Sequence, residues 1–302
     1  MIQDSAQGNA VSVTAAASFR SALRAELIKL RHQRPTWVLM GFVLLLLGLV
    51  MFSMAADSQI GTDLRHTPLL GLDQMLPGLQ FVFAAGAGVV LLTSGSRLMA
   101  MEYSLGTIRV ILGRGTGRVQ LVLAKLVACL LLGAGLLLAY IGLCATGMTL
   151  ITLHLTGSLE AASRLPLAGW HQLALAVAAG AISAVSCCVV GITMGALTRS
   201  LTGGMALSVL FFPLDNALDL VLRGLHHLDR LEVWRTLSAF SLGPSLNLLP
   251  TALTGQTIPG STVLPTPMLT LAAGGVIAVI GGWCLGLVAL ALWSAVARDV
   301  LS

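Results

Sequence analysis

Apolar positions change their spacing twice near the start of the chain. Residues 1–17 are small and polar with no apolar period, which predicts a flexible N-terminal tail. From Ser18 onward, Phe19, Leu23, Leu27 and Leu30 recur every three or four residues. Arg20, Arg24, Lys29, Arg31 and Arg34 fall on the other faces. This spacing predicts a basic amphipathic helix over residues 18–35, suited to lying in a headgroup layer against anionic lipid. Pro35 ends that pattern and can start the next helix.

Beyond Pro35 the periodic pattern gives way to long, nearly charge-free apolar runs. A bilayer core of roughly 30 Å takes about 20 helical residues, and several runs reach that length. Lipid leaves only helices or closed barrels, and continuous runs such as Val38–Leu49 select helices. Residues 36–302 therefore predict an all-α membrane domain of six spans. These lie at about Trp37–Met54, Leu79–Leu98, within Val119–Leu150, Leu173–Leu197, Gly203–Leu222 and Met268–Trp293. Ala55–Gly78 and Ile151–His171 read as polar connectors. A short connector covers 99–118, and the longest covers 223–267. The latter carries an apolar segment around Leu246–Leu253, expected to fold back onto the membrane surface as short helices.

Composition supports this picture. The 302-residue chain is 56% hydrophobic and 10% charged, with a mean hydropathy of +0.92. Soluble domains carry about 25% charged residues, so a water-exposed surface does not fit. The formal net charge is +5. The basic residues are scattered among apolar spans rather than gathered into a patch with interleaved aromatics, which argues against nucleic-acid binding. Their distribution instead predicts orientation. With the N-terminus inside, twelve of the 17 Lys and Arg fall on the cytoplasmic side and five outside, so both termini are expected in the cytoplasm of a cell-membrane protein. All five cysteines lie in apolar segments without zinc or redox spacing, and disulfides are not expected.

Driving chemistry is missing from the motifs. The only lysines, Lys29 and Lys125, follow Ile28 and Ala124, so no phosphate-cradling Gly-Lys-Ser/Thr loop exists. None of the six His is followed by Glu, which removes the zinc-protease motif, and all six fall in connectors or at span ends. His226-His227 with Asp229 and Glu232 reads as a solvated surface rather than a metal site. No catalytic or metal residues are expected. Ionisable residues inside spans are few, and the candidates are Asp215, Asn216 and Asp219, after Pro213 in the fifth span. Asp219 either pairs with Arg223 at i+4 or belongs to a polar break in a translocation pathway. Gly191-x-x-x-Gly195 and Gly282-x-x-x-Gly286 are close-packing patterns that fit intramolecular contacts or a dimer seam.

The connector 99–118 carries the most information. It reads Glu102-Tyr-Ser-Leu105-Gly106-Thr107-Ile108-Arg109, then a glycine-rich turn to Arg118 and, further on, Lys125. A short, partly apolar segment at the membrane edge needs lipid or a cytoplasmic partner to cover it. Together with Glu26-Leu27-Ile28-Lys29-Leu30 before the first span, Leu249-Pro250, and Arg298-Asp299 after the sixth, this layout resembles the permease subunits of ABC-2-type transporters. The resemblance implies a six-helix bundle of the type V exporter kind with an N-terminal interfacial helix. It further implies a homodimer or heterodimer of permeases that pairs with separate ATPase subunits, which would hold the ATP and Mg; this chain would hold no cofactor.

By the same resemblance, Leu105, Gly106, Thr107, Ile108 and Arg109 would dock into the ATPase subunit. Glu26, Lys29 and Glu102 would brace the second span against the N-terminal helix, through Arg24 or Lys29. The expected activity is export of an amphipathic or hydrophobic small molecule, lipid or peptide. Two other classes stay open on the residues alone: a membrane scaffold or immunity-type binding protein, and an ion-coupled carrier centred on Asp215 and Asp219.

Overall fold

The computed structural model describes residues 18–108, 117–157, 166–254 and 264–297. The expected tail 1–17, the docking candidate Arg109 and the Arg298-Asp299 pair lie outside the described residues. Helix α1 (Phe19–Arg31) starts where the Ser21 N–H donates to the Ser18 side chain at 3.3 Å. Pro35 opens α2 (Arg34–Ala55) in the first turn, where its missing N–H costs nothing.

The second span is longer than its hydropathy suggests. After α3 (Ser58–His66), α4 (Pro68–Val82) runs through a π-helical turn at Phe83–Ala87 into α5 (Gly88–Ser104). Asp73, Gln74 and Pro77 make residues 68–78 read as a connector, yet all lie inside α4. Tertiary partners explain this. Gln74 donates to Asp63 of α3 at 2.8 Å, and the Tyr140 hydroxyl donates to the Leu79 carbonyl. The π turn follows Pro77 by under two helical turns and brings Gly86 against Val43 of α2.

Four more long elements complete the bundle: α6 (Arg118–Thr156), α7 (Leu167–Thr198), α8 (Leu201–Asp229) and α11 (Ala273–Ala297). Among the described residues, six helices are long and apolar enough to cross a membrane, with α4 and α5 counting as one. Between α8 and α11 lie α9 (Glu232–Ala239) and α10 (Leu242–Thr254).

Helices α5 and α7 form the centre. A Cβ on Gly191 would fall 2.7 Å from the Leu92 carbonyl oxygen, and one on Gly195 would fall 2.6 Å from that of Ser96. Only glycine permits this approach, so the first close-packing pattern is an intramolecular contact. The second is not: nothing lies within 4 Å of a Cβ built on Gly282 or Gly286. Hydrogen bonds from Thr193 to the Leu287 carbonyl (3.1 Å) and from Ser294 to the Ala196 carbonyl (3.2 Å) fasten α11 to α7. All five cysteines are free thiols, and Cys188 donates to the Cys129 carbonyl at 3.4 Å across α7 and α6.

The connector 223–267 departs from expectation. Instead of lying on a surface, α10 packs against α7, α8 and α11, with Leu242 and Leu249 fully buried. An apolar segment of this length gains more by filling the open end of a bundle than by lying in an interface.

Candidate functional site

Three elements converge on one side chain. Lys125 lies two turns into α6, between Ala124 and Leu126, and is 0% exposed. Its ammonium donates to Glu26 Oε2 at 3.1 Å and to the Leu98 carbonyl at 2.7 Å, and lies 2.9 Å from Glu102 Oε1. These three partners match the three N–H donors of a lysine. Glu26 comes from α1, Glu102 from α5, and both are buried.

Lys29 closes the cluster from the solvent side. It donates to Glu26 Oε1 at 2.8 Å and to Glu102 Oε1 at 2.5 Å. Two carboxylates thus face two ammonium groups, with Glu102 Oε1 shared between both lysines. Burial lowers the affinity of Lys29 for its proton, but the hydrogen bonds and charges of Glu102 and Glu26 outweigh it and hold the ammonium above the ordinary lysine range. Charge balance is what makes such burial tolerable, since an unpaired ion here would cost several kcal/mol, on the order of 3–5 when one partner is lost.

Of the two partners expected for Glu102 on α1, Lys29 meets it, while Arg24 is exposed. Sequence reasoning missed Lys125, which reads as one more basic residue leading into the third span. The available signal was its position inside the run Leu121–Leu132, where a lone charge must find a partner. The buried face of α1 also differs from the apolar stripe. Glu26 and Leu30 turn inward, while Phe19, Leu27 and Ile28 are exposed.

The turn after α5 grows directly out of this cluster. Gly106 has φ +67, in the left-handed region, and its N–H meets the Tyr103 carbonyl at 3.2 Å, ending the helix. Thr107 donates to the Glu102 carbonyl at 3.5 Å. Leu105 is 64% exposed, and Gly106 and Thr107 are exposed with it. Ile108 is the exception among the docking candidates described: at 6% exposure it is turned into the protein and offers no free surface. Arginines tie the same end together. Arg118 donates to the carbonyls of Ala295 (3.4 Å) and Val296 (3.2 Å), Arg199 to that of Ser294 (3.3 Å), and both complement the C-terminal end of α11. The Arg199 guanidinium also lies 5.0 Å from the centre of the Tyr103 ring.

At the far end of α8, about 24 Å along the helix from Leu201, Asp215, Asn216 and Asp219 hold α9, α10 and the segment before α11. Asp219, fully buried, accepts from Arg223 Nε at 2.8 Å and from the Ser238 hydroxyl, so the i+4 pair is present. Ser238 in turn accepts from the Met268 N–H at 2.9 Å. Asp215 accepts from the Gly243 N–H at 2.5 Å. Asn247 donates to Asn216 at 2.9 Å and to the Pro265 carbonyl at 2.8 Å. Among the described residues, no group of three or more His, Cys, Asp or Glu is arranged to hold a metal ion.

A bundle of six helices long and apolar enough to cross a membrane, with α1 pinned to one end by ion pairs, defines a multi-pass membrane protein. The family model for ABC-2 family transporter proteins matches residues 22–214, more than half of the chain, and the chain belongs to that family. The matched stretch contains all four members of the lysine–glutamate cluster and ends one residue before Asp215. No curated protein matches the chain significantly. Family membership establishes a transport permease role, a part that in this family is generally non-catalytic and generally works with an ATPase subunit.

Proposed function

We propose that this chain is the membrane-spanning subunit of an ATP-driven exporter, and that the Glu26–Lys29–Glu102–Lys125 cluster passes force from a separate ATPase subunit into the spans. The observation carrying this reading is the connection between a buried ionic cluster and an exposed turn only three residues away, Leu105–Thr107. A partner pressing on the turn moves the end of α5. Because Glu102 is held by Lys29 of α1 and Lys125 of α6, that displacement reaches three elements together rather than bending one.

In this reading the ATPase subunit docks on Leu105, Gly106 and Thr107, continued by Arg109, and ATP and Mg are bound there and not by this chain. The permease works as a homodimer or heterodimer in the cell membrane with both termini cytoplasmic. Its cargo is amphipathic or hydrophobic. Asp215, Asn216 and Asp219 lie at the far mouth of the pathway and hold its cap.

Docking and transmission separate experimentally. Leu105→Asp should abolish co-purification with the ATPase subunit, whereas Lys125→Met should retain it and lose cargo-stimulated ATP hydrolysis. Ile108→Asp is a poor docking probe, because it places a charge in a buried position. Full co-purification and full stimulation in both Leu105→Asp and Lys125→Met would sink the assignment, and leave a scaffold that binds without transport as the better reading.

A further inference from the structure

The last turn of α5 is held on two sides. Glu102 points into the lysine–glutamate cluster, while Ser104 lies about 200° further around the helix. On that second side the Leu201 N–H, the first of α8, donates to Ser104 Oγ at 3.2 Å. Between the two in sequence, Tyr103 has the Arg199 guanidinium 5.0 Å from the centre of its ring. The exposed turn Leu105–Thr107 follows directly. A displacement of that turn therefore acts on both sides of α5, and the ionic cluster takes up only one of them.

The second side leads to the joint between α7 and α8. That joint is two residues long, since α7 ends at Thr198 and α8 starts at Leu201. Arg199 has φ +51, in the left-handed region, and its N–H donates to the Gly195 carbonyl at 3.2 Å. Ser200 caps α8, its Oγ accepting from the Gly203 N–H at 3.3 Å. Glycine holds a left-handed helix end without strain, so a side chain there runs against the backbone preference. Strain alone marks nothing, because Arg230 has the same conformation at the end of α8 and is exposed. Arg199 differs in that its side chain meets two other helices. Besides facing Tyr103 of α5, it donates to the Ser294 carbonyl of α11 at 3.3 Å. A planar guanidinium suits both partners, since it can lie over a ring and still donate from its edge.

Packing around the joint leaves little slack. A Cβ on Gly204 of α8 would lie 2.7 Å from Ser96 Oγ of α5, and the Ser294 hydroxyl donates to the Ala196 carbonyl of α7 at 3.2 Å. Helices packed this closely shift as bodies rather than deform.

We propose that Arg199 is a positioning residue that carries movement of the turn Leu105–Thr107 into α8 and α11, by a route separate from the lysine–glutamate cluster. The inference rests on the proposed docking of an ATPase subunit at that turn. The cluster reaches α1 and α6, and Arg199 reaches the fifth and sixth spans. One displacement of α5 is thereby divided between two sets of helices.

The test uses the full-length chain in complex with its ATPase subunit, with and without a non-hydrolysable ATP analogue, followed by hydrogen exchange. In the wild-type complex the analogue should change exchange in α1 and the first turns of α6, and also in the first turn of α8 and the last turn of α11. Arg199→Gly fits the left-handed backbone while removing the guanidinium. It should keep the response of α1 and α6 and lose that of α8 and α11, with co-purification of the ATPase subunit unchanged. Tyr103→Phe keeps the ring and should respond as the wild type does, whereas Tyr103→Leu should weaken the response of α8 and α11. A merely structural role would alter all four helices alike. A full response of α8 and α11 in Arg199→Gly overturns the proposal, and so does identical behaviour of Tyr103→Phe and Tyr103→Leu. If Arg199→Gly fails to fold, the two Tyr103 variants decide the question. A wild-type response confined to α1 and α6 overturns this inference alone, whereas no response in any helix removes the force-transmission reading and this inference with it.

Discussion

The two polar clusters of this protein lie at opposite ends of the bundle and are built on different physics. Near α1, four full charges neutralise one another, and they come from α1, α5 and α6, far apart in the chain. At the far end of α8, two carboxylates are held by a backbone N–H, a serine hydroxyl and one arginine four residues on, with an amide pair beside them. The first cluster is balanced in charge, with Glu102 Oε2 alone buried without a hydrogen-bond partner among the described residues, so losing any member strands an opposite charge. The second is a set of separate fastenings, each holding one short element. A balanced ionic cluster ties rigid helices so that they move together, whereas local fastenings hold a cap that can loosen piece by piece. Under the proposed function, the former suits force transmission and the latter a gate.

Lys125→Met should break the comparison most severely. It leaves Glu26 and Glu102 buried against a single half-exposed lysine, with an expected cost on the order of 3–5 kcal/mol for a broken buried pair. Thermal unfolding in detergent checks this. Adding Glu26→Gln should recover part of the loss, and a double variant no more stable than Lys125→Met would show that the two do not interact.

Asp219→Ala should cost less and act locally. It removes the acceptor for Ser238 and Arg223, an expected loss of about 1–3 kcal/mol for groups left unsatisfied. Hydrogen exchange should rise in α9 and the start of α10 while α1 and α6 keep their protection. A uniform rise across the bundle would contradict the picture of separate fastenings.

Gly106→Ala is a milder probe. A residue with φ +67 strains any side chain by about 1–2 kcal/mol, so the turn after α5 should lose order and the ATPase subunit should bind more weakly. Unchanged co-purification would place docking elsewhere.

Alkaline pH is the mildest probe. Lys29 is held above the ordinary lysine value of 10.5 by Glu102 and Glu26 against the opposing effect of burial. Its contribution is therefore fully present below pH 10.5 and is lost as pH rises through the higher value of the folded state. Unfolding curves taken between pH 9 and pH 12 should show a decline in stability that is shallower in Lys29→Met. Equal slopes would remove Lys29 from the cluster's electrostatics.

Much of the architecture was legible in the order of residues. Continuous apolar runs predict helices in lipid with little ambiguity, and all six spans are present. Their ends were less legible. Residues 68–78 look like a connector because Asp73, Gln74 and Pro77 interrupt the apolar run, yet contacts with α3 and Tyr140 support that stretch as helix. Of the ionic cluster, Glu26, Lys29 and Glu102 could be named beforehand, but its centre could not. A lysine in an apolar run announces that a partner exists without saying where. Ile108 and Gly286 illustrate the same limit: spacing puts both on plausible contact faces, yet one is buried and the other open.

What the sequence determined alone was set by local chemistry: helical spans from hydropathy, a separate N-terminal helix from its basic amphipathic period, and no phosphate loop because only two lysines exist. The tertiary structure decided which charges meet and that α10 enters the bundle. Those depend on the rotation of each helix about its axis, where a turn of 100° separates a buried residue from an exposed neighbour. Hydropathy averaged over a nearly uniform apolar span carries no record of that rotation; packing against the other helices supplies it.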